Sequence, residues 1–338
     1  MLRIHVNARL GTVAAIGLLA FFSGQRVASA TTSNPGTEMK KATPMDRAAF
    51  DKDEADWRAA RSERLRRPNG WLSLVGLHWV DPGVHHVGSA ASNDIQLRTG
   101  PATLGTLTFK DGKAMFDPDA KAGVTIDNKP ATGDIALRSD ATTDAAGPTI
   151  VSFNKGSANF QVIERSGRIA LRVKDANAAT RTGFVGIDYF PADPAWRFDA
   201  HFEPHPPGRT IQIASVINTI EAMPNPGAVV FTKDGKTYRL EAVDEGDGVL
   251  SLIYADRTSG KTTYAAGRFL DAEMPKDGMT VVDFNHSYNP PCVFTHYATC
   301  PLPPPENRLD LAVTAGEKMY RGAAHHDAAE AAPARKGS

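Results

Sequence analysis

The sequence predicts a mainly β protein, with an N-terminal amphipathic helix, a β-sandwich, and a second β-sandwich or barrel-like domain that carries a proline-rich ordered loop. Three observations lead to this prediction. Beyond Gly70, short runs of β-forming residues are separated by turn sequences about every ten residues. Stretches with the helical period are nearly absent from the same region. Prolines are concentrated between residues 283 and 320, where they prevent both helix and central strand.

The first thirty residues have the pattern of a secretory signal peptide. Arg3 and Arg9 give a positive start, residues 10–22 form an apolar run too short for a stable membrane span, and A-S-A precedes Thr31. We therefore predict an exported, periplasmic protein. No later run approaches about twenty apolar residues, so no membrane span is expected in the mature chain.

Composition and pattern divide the chain into five predicted segments. These are a signal peptide (1–30), a flexible linker (31–44), a helix with the first β domain (45–148), a C-terminal β domain (149–320) and a disordered tail (321–338).

The predicted helix covers residues 45–67, where Phe50, Trp57 and Leu65 recur among charged residues and P-N-G follows. Its charged face is assigned to solvent. Residues 159–174 alternate around a turn and predict a hairpin. Further strands are expected at 210–220, 227–240 and 248–254.

The charge balance excludes one class of partner. The chain has 38 basic and 38 acidic residues, and removal of residues 1–30 takes away three arginines and no acids. Nucleic-acid binding requires a concentrated basic surface, so no nucleic-acid partner is expected. The sequence sets no oligomeric state.

Cys292 and Cys300 are the only cysteines. In an oxidising compartment, two cysteines eight residues apart are expected to form a disulfide. The alternatives are free thiols, or a zinc or copper site completed by His286 and His296. We predict the disulfide, with no metal and no cofactor.

Polar residues surround the proline-rich loop and form the candidate site. Strong catalytic motifs, such as a nucleophile elbow or H-E-x-x-H, are missing, so the sequence does not decide whether the protein is an enzyme. If strands at 260–270 and 279–285 are neighbours, Arg268 could reach Asp283 and Asn285. The candidate ligand-binding residues are Arg268, Asn285, Tyr288, Asn289 and Asn307. Asp256, Thr258 and Tyr264 form a second tier.

Two interpretations of this cluster remain open. In the first, it is a structural network that holds the loop, because buried charges must be paired. In the second, it is a pocket in which Arg268 binds a small polar or anionic ligand. The alternative function is a hydrolase that uses Asp283 as general base and Arg268 as substrate anchor, so that these two residues are the candidate catalytic residues.

Several motifs carry a family resemblance. D-F-N-x-x-Y-N-P-P-C, A-T-C-P-L-P-P-P-E-N-R-L, G-W-L-S-L-V-G-L-H-W and G-R-I-A-L-R-V-K-D, the last from Gly167, resemble the signature of the domain of unknown function 1684 family between Asp56 and Tyr320. The resemblance implies no activity.

Residues 83–138 also resemble the strand order of forkhead-associated domains. The motifs are H-H-V-G-S-A-A-S-N-D-I-Q-L and a following hairpin. This resemblance implies a sandwich. Ser89 follows Gly88 where the family has an arginine, so phosphothreonine binding is not expected.

Overall fold

Strands dominate the computed structural model of the protein, which describes residues 46–322. The predicted mainly β class, with one long N-terminal helix, is confirmed. The predicted signal peptide and linker lie outside the described residues, as does the predicted tail beyond Gly322. No helix within residues 46–322 is long and apolar enough to cross a bilayer.

Helix α1 (Arg47–Arg66) agrees with the predicted helix. It ends before Pro68, whose ring disfavours helical geometry in the preceding residue. Phe50, Glu54, Arg61 and Leu65 are buried and lie on one side of the helix. The assignment of all its charged residues to solvent is therefore wrong for Glu54 and Arg61, because the proline-rich loop covers them.

Eleven strands lie within residues 46–175. They are β1 (Leu74–Val80), β2 (Gly83–Gly88), β3 (Ile95–Gln96), β4 (Gly105–Lys110), β5 (Lys113–Pro118), β6 (Thr125–Ile126), β7 (Lys129–Pro130), β8 (Ile135–Leu137), β9 (Val151–Phe153), β10 (Ala158–Arg165) and β11 (Arg168–Asp175). One sheet has the order β1-β11-β10-β9-β6-β7, and the other has the order β3-β2-β4-β5-β8.

The two sheets share one apolar core and form a sandwich. Leu107 and Phe116 come from the five-stranded sheet, whereas Phe160 and Leu171 come from the six-stranded sheet. The rings of Phe116 and Phe160 meet edge to face with centroids 5.3 Å apart. The predicted sandwich and the hairpin of β10 and β11 are present.

Thr149, where the sequence analysis placed a domain boundary, lies between strands of the first sandwich. Strands β9 to β11 hydrogen-bond to β6 and β1 within the first sandwich. The pairing changes only after Asp175, in the segment 176–196 that contains the short helix α2 (Ala179–Thr182). Strand patterns on either side of residue 149 look alike in sequence, and the long-range pairing of β11 with β1 has no local signal.

Eight further strands follow within residues 176–322. They are β12 (Arg197–Pro204), β13 (Thr210–Ala214), β14 (Ile220–Pro224), β15 (Gly227–Lys233), β16 (Lys236–Asp244), β17 (Val249–Tyr254), β18 (Arg268–Glu273) and β19 (Met279–Asp283). Six of them form a sheet with the order β18-β17-β16-β15-β12-β19, and β13 and β14 form a separate two-stranded sheet. The edge strands β18 and β19 lie against each other, so the six-stranded sheet is nearly closed, as a barrel is.

Phe284, directly after β19, fills the interior of this sheet. Its ring is fully buried and contacts the rings of Trp196, Phe198, Phe231 and Tyr254, with centroids 5.2 to 6.1 Å apart. The aromatic residue of the D-F-N motif is thus a core residue.

The proline-rich loop after Phe284 contains short 3₁₀ turns and no strand, as predicted. Val293 and Phe294 are buried against Leu65 of α1 and against Tyr320. These apolar contacts give the loop a core of its own beside the sheet, which supports the prediction that it is ordered.

Candidate functional site

The predicted disulfide between Cys292 and Cys300 is present, with Cα atoms 6.2 Å apart. Both sulfurs are in the disulfide, so a metal site built from these thiolates is contradicted. The bridge packs beside Leu74, Phe269 and Ala298 and holds the middle of the proline-rich loop against the sheet.

Arg268, at the start of β18, is 1% exposed. Its Nη2 lies 3.2 Å from Oδ2 of Asp256, and its guanidinium also donates to the backbone carbonyls of Val313, Ala315 and Glu317. The arginine therefore fixes residues 313–317 against β18. Its acidic partner came from the second tier of the sequence prediction.

Asp283, at the end of β19, has a different partner. Its Oδ2 accepts a hydrogen bond from Nη1 of Arg197 at 3.0 Å, and its Oδ1 accepts from the backbone and side-chain nitrogens of Asn285. The expected contact between Arg268 and Asp283 is not made. In the strand register, Asp283 lies opposite Arg197 of β12, which is its ion-pair partner. Arg268 lies opposite Tyr254 of β17, and its ion-pair partner Asp256 follows two residues later.

Three asparagines of the predicted ligand set bond to the backbone. Asn307 accepts from the nitrogen of Glu241 and donates to the carbonyls of Glu241 and Ile253. Asn285 bonds to both backbone groups of Asp193. Asn289 donates its side-chain amide to the carbonyl of Lys318. All three side chains are at most 1% exposed, so they replace ladder hydrogen bonds that the loop cannot form.

Tyr288 lies in a different environment. Its hydroxyl donates to Oδ1 of Asp271 at 2.9 Å, and the guanidinium of Arg61 lies over its ring, 4.8 Å from the centroid. Burial, followed by the charge of Asp271, raises the pKa of Tyr288 well above its ordinary value. Tyr288 also lines a polar cavity of about 370 Å³ with Arg61 and Asp271. We call this space the polar cavity.

Helix α1 is fastened to the same loop by a buried ion pair. Nε of Arg61 lies 2.8 Å from Oε1 of Glu317, and Oε2 of Glu317 accepts from the nitrogen of Asn289. Arg61 also donates to the carbonyl of Asn289. Together with the bonds of Arg268, Asp283 and the asparagines, this geometry fits the structural-network interpretation of the cluster.

A second cavity lies beside the disulfide and was not predicted. Its volume is about 340 Å³, within the range of small-molecule sites. We call it the disulfide cavity. Its walls come from strands β10, β11, β13, β14 and β18, from Trp71 and Glu245, and from the loop residues Pro291, Ala298, Thr299, Cys300 and Pro301.

Arg172 enters the disulfide cavity from the middle of β11. Ile169, Leu171 and Val173 of that strand point into the sandwich core, so alternation places Arg172 on the opposite face. There the loop and Trp71 cover it, and its guanidinium carbon lies 5.5 Å from the centroid of the Trp71 ring. Arg172 is only 6% exposed.

Arg61 and Arg268 are buried arginines with an acidic partner, whereas Arg172 forms no ion pair with a carboxylate among residues 46–322. Its Nη2 donates to the hydroxyl of Thr299 at 3.1 Å, but its buried Nε has no hydrogen-bond acceptor among the described residues. The neighbouring Arg165 also donates to Thr299, and the charge of Arg165 is balanced by Asp140 at 2.9 Å. Burial, and then the charge of Arg165, lowers the pKa of Arg172 to about 10.

Sequence reasoning missed Arg172 although it lies in the quoted motif G-R-I-A-L-R-V-K-D. Arg168, Arg172 and Lys174 alternate with apolar residues, which is the ordinary pattern of a solvent-exposed face. Only the position of the loop, more than a hundred residues later, shows that this face is covered. The available signal was the motif itself, which carries the family resemblance and places Arg168 and Arg172 on one face of the strand.

Fold and site together define a mainly β protein whose proline-rich loop is clamped by a disulfide and buried ion pairs. Residues 182–318 match the family described as "Protein of unknown function (DUF1684)", which confirms the predicted resemblance over that range. The resemblance of residues 83–138 to forkhead-associated domains is not confirmed. None of the curated proteins matches the chain.

One similar solved structure is the solution NMR structure of an uncharacterized protein from Haloarcula marismortui. It is 29% identical, and the similarity covers 41% of this chain and 78% of that one, with a TM-score of 0.35. That score is too low to support any argument about function.

Proposed function

We propose that this protein is exported and binds a small organic anion in the disulfide cavity, with Arg172 as the anchor. The observation that carries the proposal is the buried guanidinium of Arg172, which has a free Nε and no carboxylate partner among the described residues. A buried unpaired charge is costly to the folded protein. An incoming carboxylate would supply both the opposite charge and the missing acceptor, because its two oxygens match the guanidinium fork.

The walls of the disulfide cavity favour a ligand with an apolar body. Ile213, Met223 and Phe269 line it beside the loop. Two carboxyls, Glu221 and Glu245, also contribute to the wall, and burial raises the pKa of Glu245. Because these acids repel a second negative charge, the ligand should carry one anionic end that lies at Arg172.

The proposed location rests on two features. The start of the chain has the features of a secretory signal. The disulfide of the loop persists in oxidising compartments. Both support export to the periplasm.

Binding is favoured over hydrolysis by the state of the candidate base and anchor. Asp283 is 5% exposed and held by Arg197 and Asn285, and Arg268 is enclosed by carbonyls and Asp256. A general base must reach the proton that it abstracts. The polar atoms of Asp283 and Arg268 are instead hydrogen-bonded to other groups of the protein. The hydrolase alternative therefore lacks a supporting observation.

Calorimetric titration of the mature protein with matched anions and neutral analogues tests the proposal. The probes are hexanoate and benzoate, each compared with its alcohol, hexan-1-ol or benzyl alcohol. We expect at least one carboxylate to bind, its alcohol to bind much more weakly, and Arg172→Met to abolish binding.

Arg257→Met is the control, because Arg257 is an exposed arginine that pairs with Asp310 outside the cavity. It should bind the carboxylate as the unmodified protein does. Equal affinity for a carboxylate and its alcohol, or unchanged affinity in Arg172→Met, would contradict the proposal.

A further inference from the structure

A second group of side chains lies where helix α1 crosses the start of the loop. Glu54 of α1, Asp283 at the end of β19 and His286 in the following 3₁₀ turn each offer one donor atom, and these atoms all lie within 4.8 Å of one another. Glu54 is 2% exposed. This group is separate from Arg172 and the disulfide cavity, and no step of the proposed function uses it.

Glu54 is the unusual member of this group. Neither of its carboxylate oxygens accepts a hydrogen bond within the part of the chain that the structure describes. Nε2 of His286 lies 3.0 Å from Oε1, and Nη2 of Arg58 lies 3.3 Å from Oε2. Nε2 of His286 is itself buried without a hydrogen-bond partner. Oε2 of Glu54 forms an ion pair with Arg58. Oε1 of Glu54 and Nε2 of His286 face each other without a hydrogen bond, and because buried polar atoms are normally satisfied, they point to a missing ligand at this place.

The surroundings hold these side chains in place. The ring of His286 stacks flat on Trp57, with centroids 4.8 Å apart and planes 3° apart. Asp283 receives hydrogen bonds from Asn285 and Arg197, the kind of outer support that orients metal-ligating carboxylates. A further carboxylate, Asp53, has Oδ2 3.8 Å from Nε2 of His286 and adds negative charge.

From this geometry we infer that Glu54, Asp283 and His286 bind a divalent transition-metal ion of the zinc class. One imidazole and two carboxylates form a donor set that zinc accepts, and zinc sites with three protein ligands keep a fourth position for water or a small molecule. His286 also lines the polar cavity with Arg61 and Tyr288, so one residue of the ligand set lies beside this cavity.

The test uses the full mature chain without an affinity tag, stripped of metal with a chelator and dialysed. Titration with Zn²⁺ should show one ion per chain and a raised thermal unfolding temperature. Glu54→Gln and His286→Gln should each weaken the affinity by about tenfold or more, since ligand loss costs at least as much as loss of an outer-shell partner.

Two controls separate this site from other histidines. His201→Gln removes an exposed histidine on β12, and the double variant His325→Gln/His326→Gln removes the histidine pair near the end of the chain. Both should retain the ion. Circular dichroism confirms that each variant is folded, and the visible absorption of Co²⁺, bound in place of Zn²⁺, reports directly on the ligands.

We expect the Co²⁺ spectrum to be altered in Glu54→Gln, in His286→Gln and in Asp283→Asn, and to be unchanged in the controls. Failure of the folded, unmodified protein to bind Zn²⁺ would overturn the inference. It would also be overturned if Glu54→Gln and His286→Gln bound Zn²⁺ as tightly as the unmodified protein does. Loss of the ion in the double variant alone would place the metal at the chain end and would also overturn it.

Discussion

Arg268 and Asp256 form an ion pair in which both side chains are 1% exposed, with Nη2 and Oδ2 3.2 Å apart. The same Oδ2 accepts a hydrogen bond from the nitrogen of Val313, while Arg268 donates to the carbonyl of that residue. The pair therefore connects β18 to residues 313–317. A buried pair of this kind stabilises the fold only while both partners remain.

Arg268→Met should lower the free energy of unfolding by roughly 3–5 kcal/mol, because it leaves the Asp256 carboxylate buried and unpaired. Urea denaturation measures the change. Arg257→Met, at an exposed pair, is the control and should cost no more than about 1 kcal/mol. A loss below about 1 kcal/mol in Arg268→Met would show that water reaches Asp256 and that the site is open.

The effects of Arg268→Met and Asp283→Asn should add to within about 0.5 kcal/mol, since the two side chains share no hydrogen-bond partner. A double-mutant cycle in urea tests this. The cycle of Arg268→Met with Asp256→Asn serves as the comparison and should be clearly non-additive. Strong coupling between positions 268 and 283 would show that Arg268 and Asp283 are in contact, as the sequence analysis predicted.

The sequence predicted the composition of this network better than its pairing. Arg268, Asp283 and the asparagines are all buried polar residues near the loop, as their concentration indicated. Which acid neutralises Arg268 depends on the pairing of β18 with β17 and on the path of residues 313–317, and local sequence carries no information on either. The same limit applies to Arg172, because its cover comes from a loop that is remote in sequence.

Asn307→Ala should destabilise the protein by about 3 kcal/mol, because it leaves three buried backbone groups of Glu241 and Ile253 without partners. Thermal or urea unfolding measures the loss. Asn177→Ala removes an exposed asparagine and should change stability by less than about 0.5 kcal/mol. Equal effects of the two substitutions would show that Asn307 does not clamp the loop.

Removal of the disulfide by the double substitution Cys292→Ala/Cys300→Ala should cost about 2–3 kcal/mol, from the chain entropy of the short loop that it closes. Carboxylate affinity should fall as well, because Cys300 and the neighbouring Thr299 line the disulfide cavity. Unfolding and titration are measured on the same preparation. Reduced stability with an unchanged carboxylate affinity would show that the disulfide-linked loop does not contribute to the binding site.

The stability of Arg172→Met tests the central claim, that Arg172 is a buried cation without a carboxylate partner among residues 46–322. The pKa of Arg172 is lowered from 12.5 to about 10, so the charged form costs the folded, ligand-free protein free energy. Replacement by an apolar side chain of similar length should leave the free energy of unfolding unchanged or raise it, by up to about 3 kcal/mol. The loss of the Thr299 hydrogen bond and the Trp71 contact reduces the gain.

Urea denaturation of the unmodified protein and Arg172→Met, both free of ligand and at neutral pH, is the most direct measurement. The account predicts a midpoint for Arg172→Met that is equal or higher, in contrast to the large fall expected for Arg268→Met. A loss of more than about 1 kcal/mol in Arg172→Met would show that Arg172 stabilises the fold as its paired counterparts do, and would contradict the anion site.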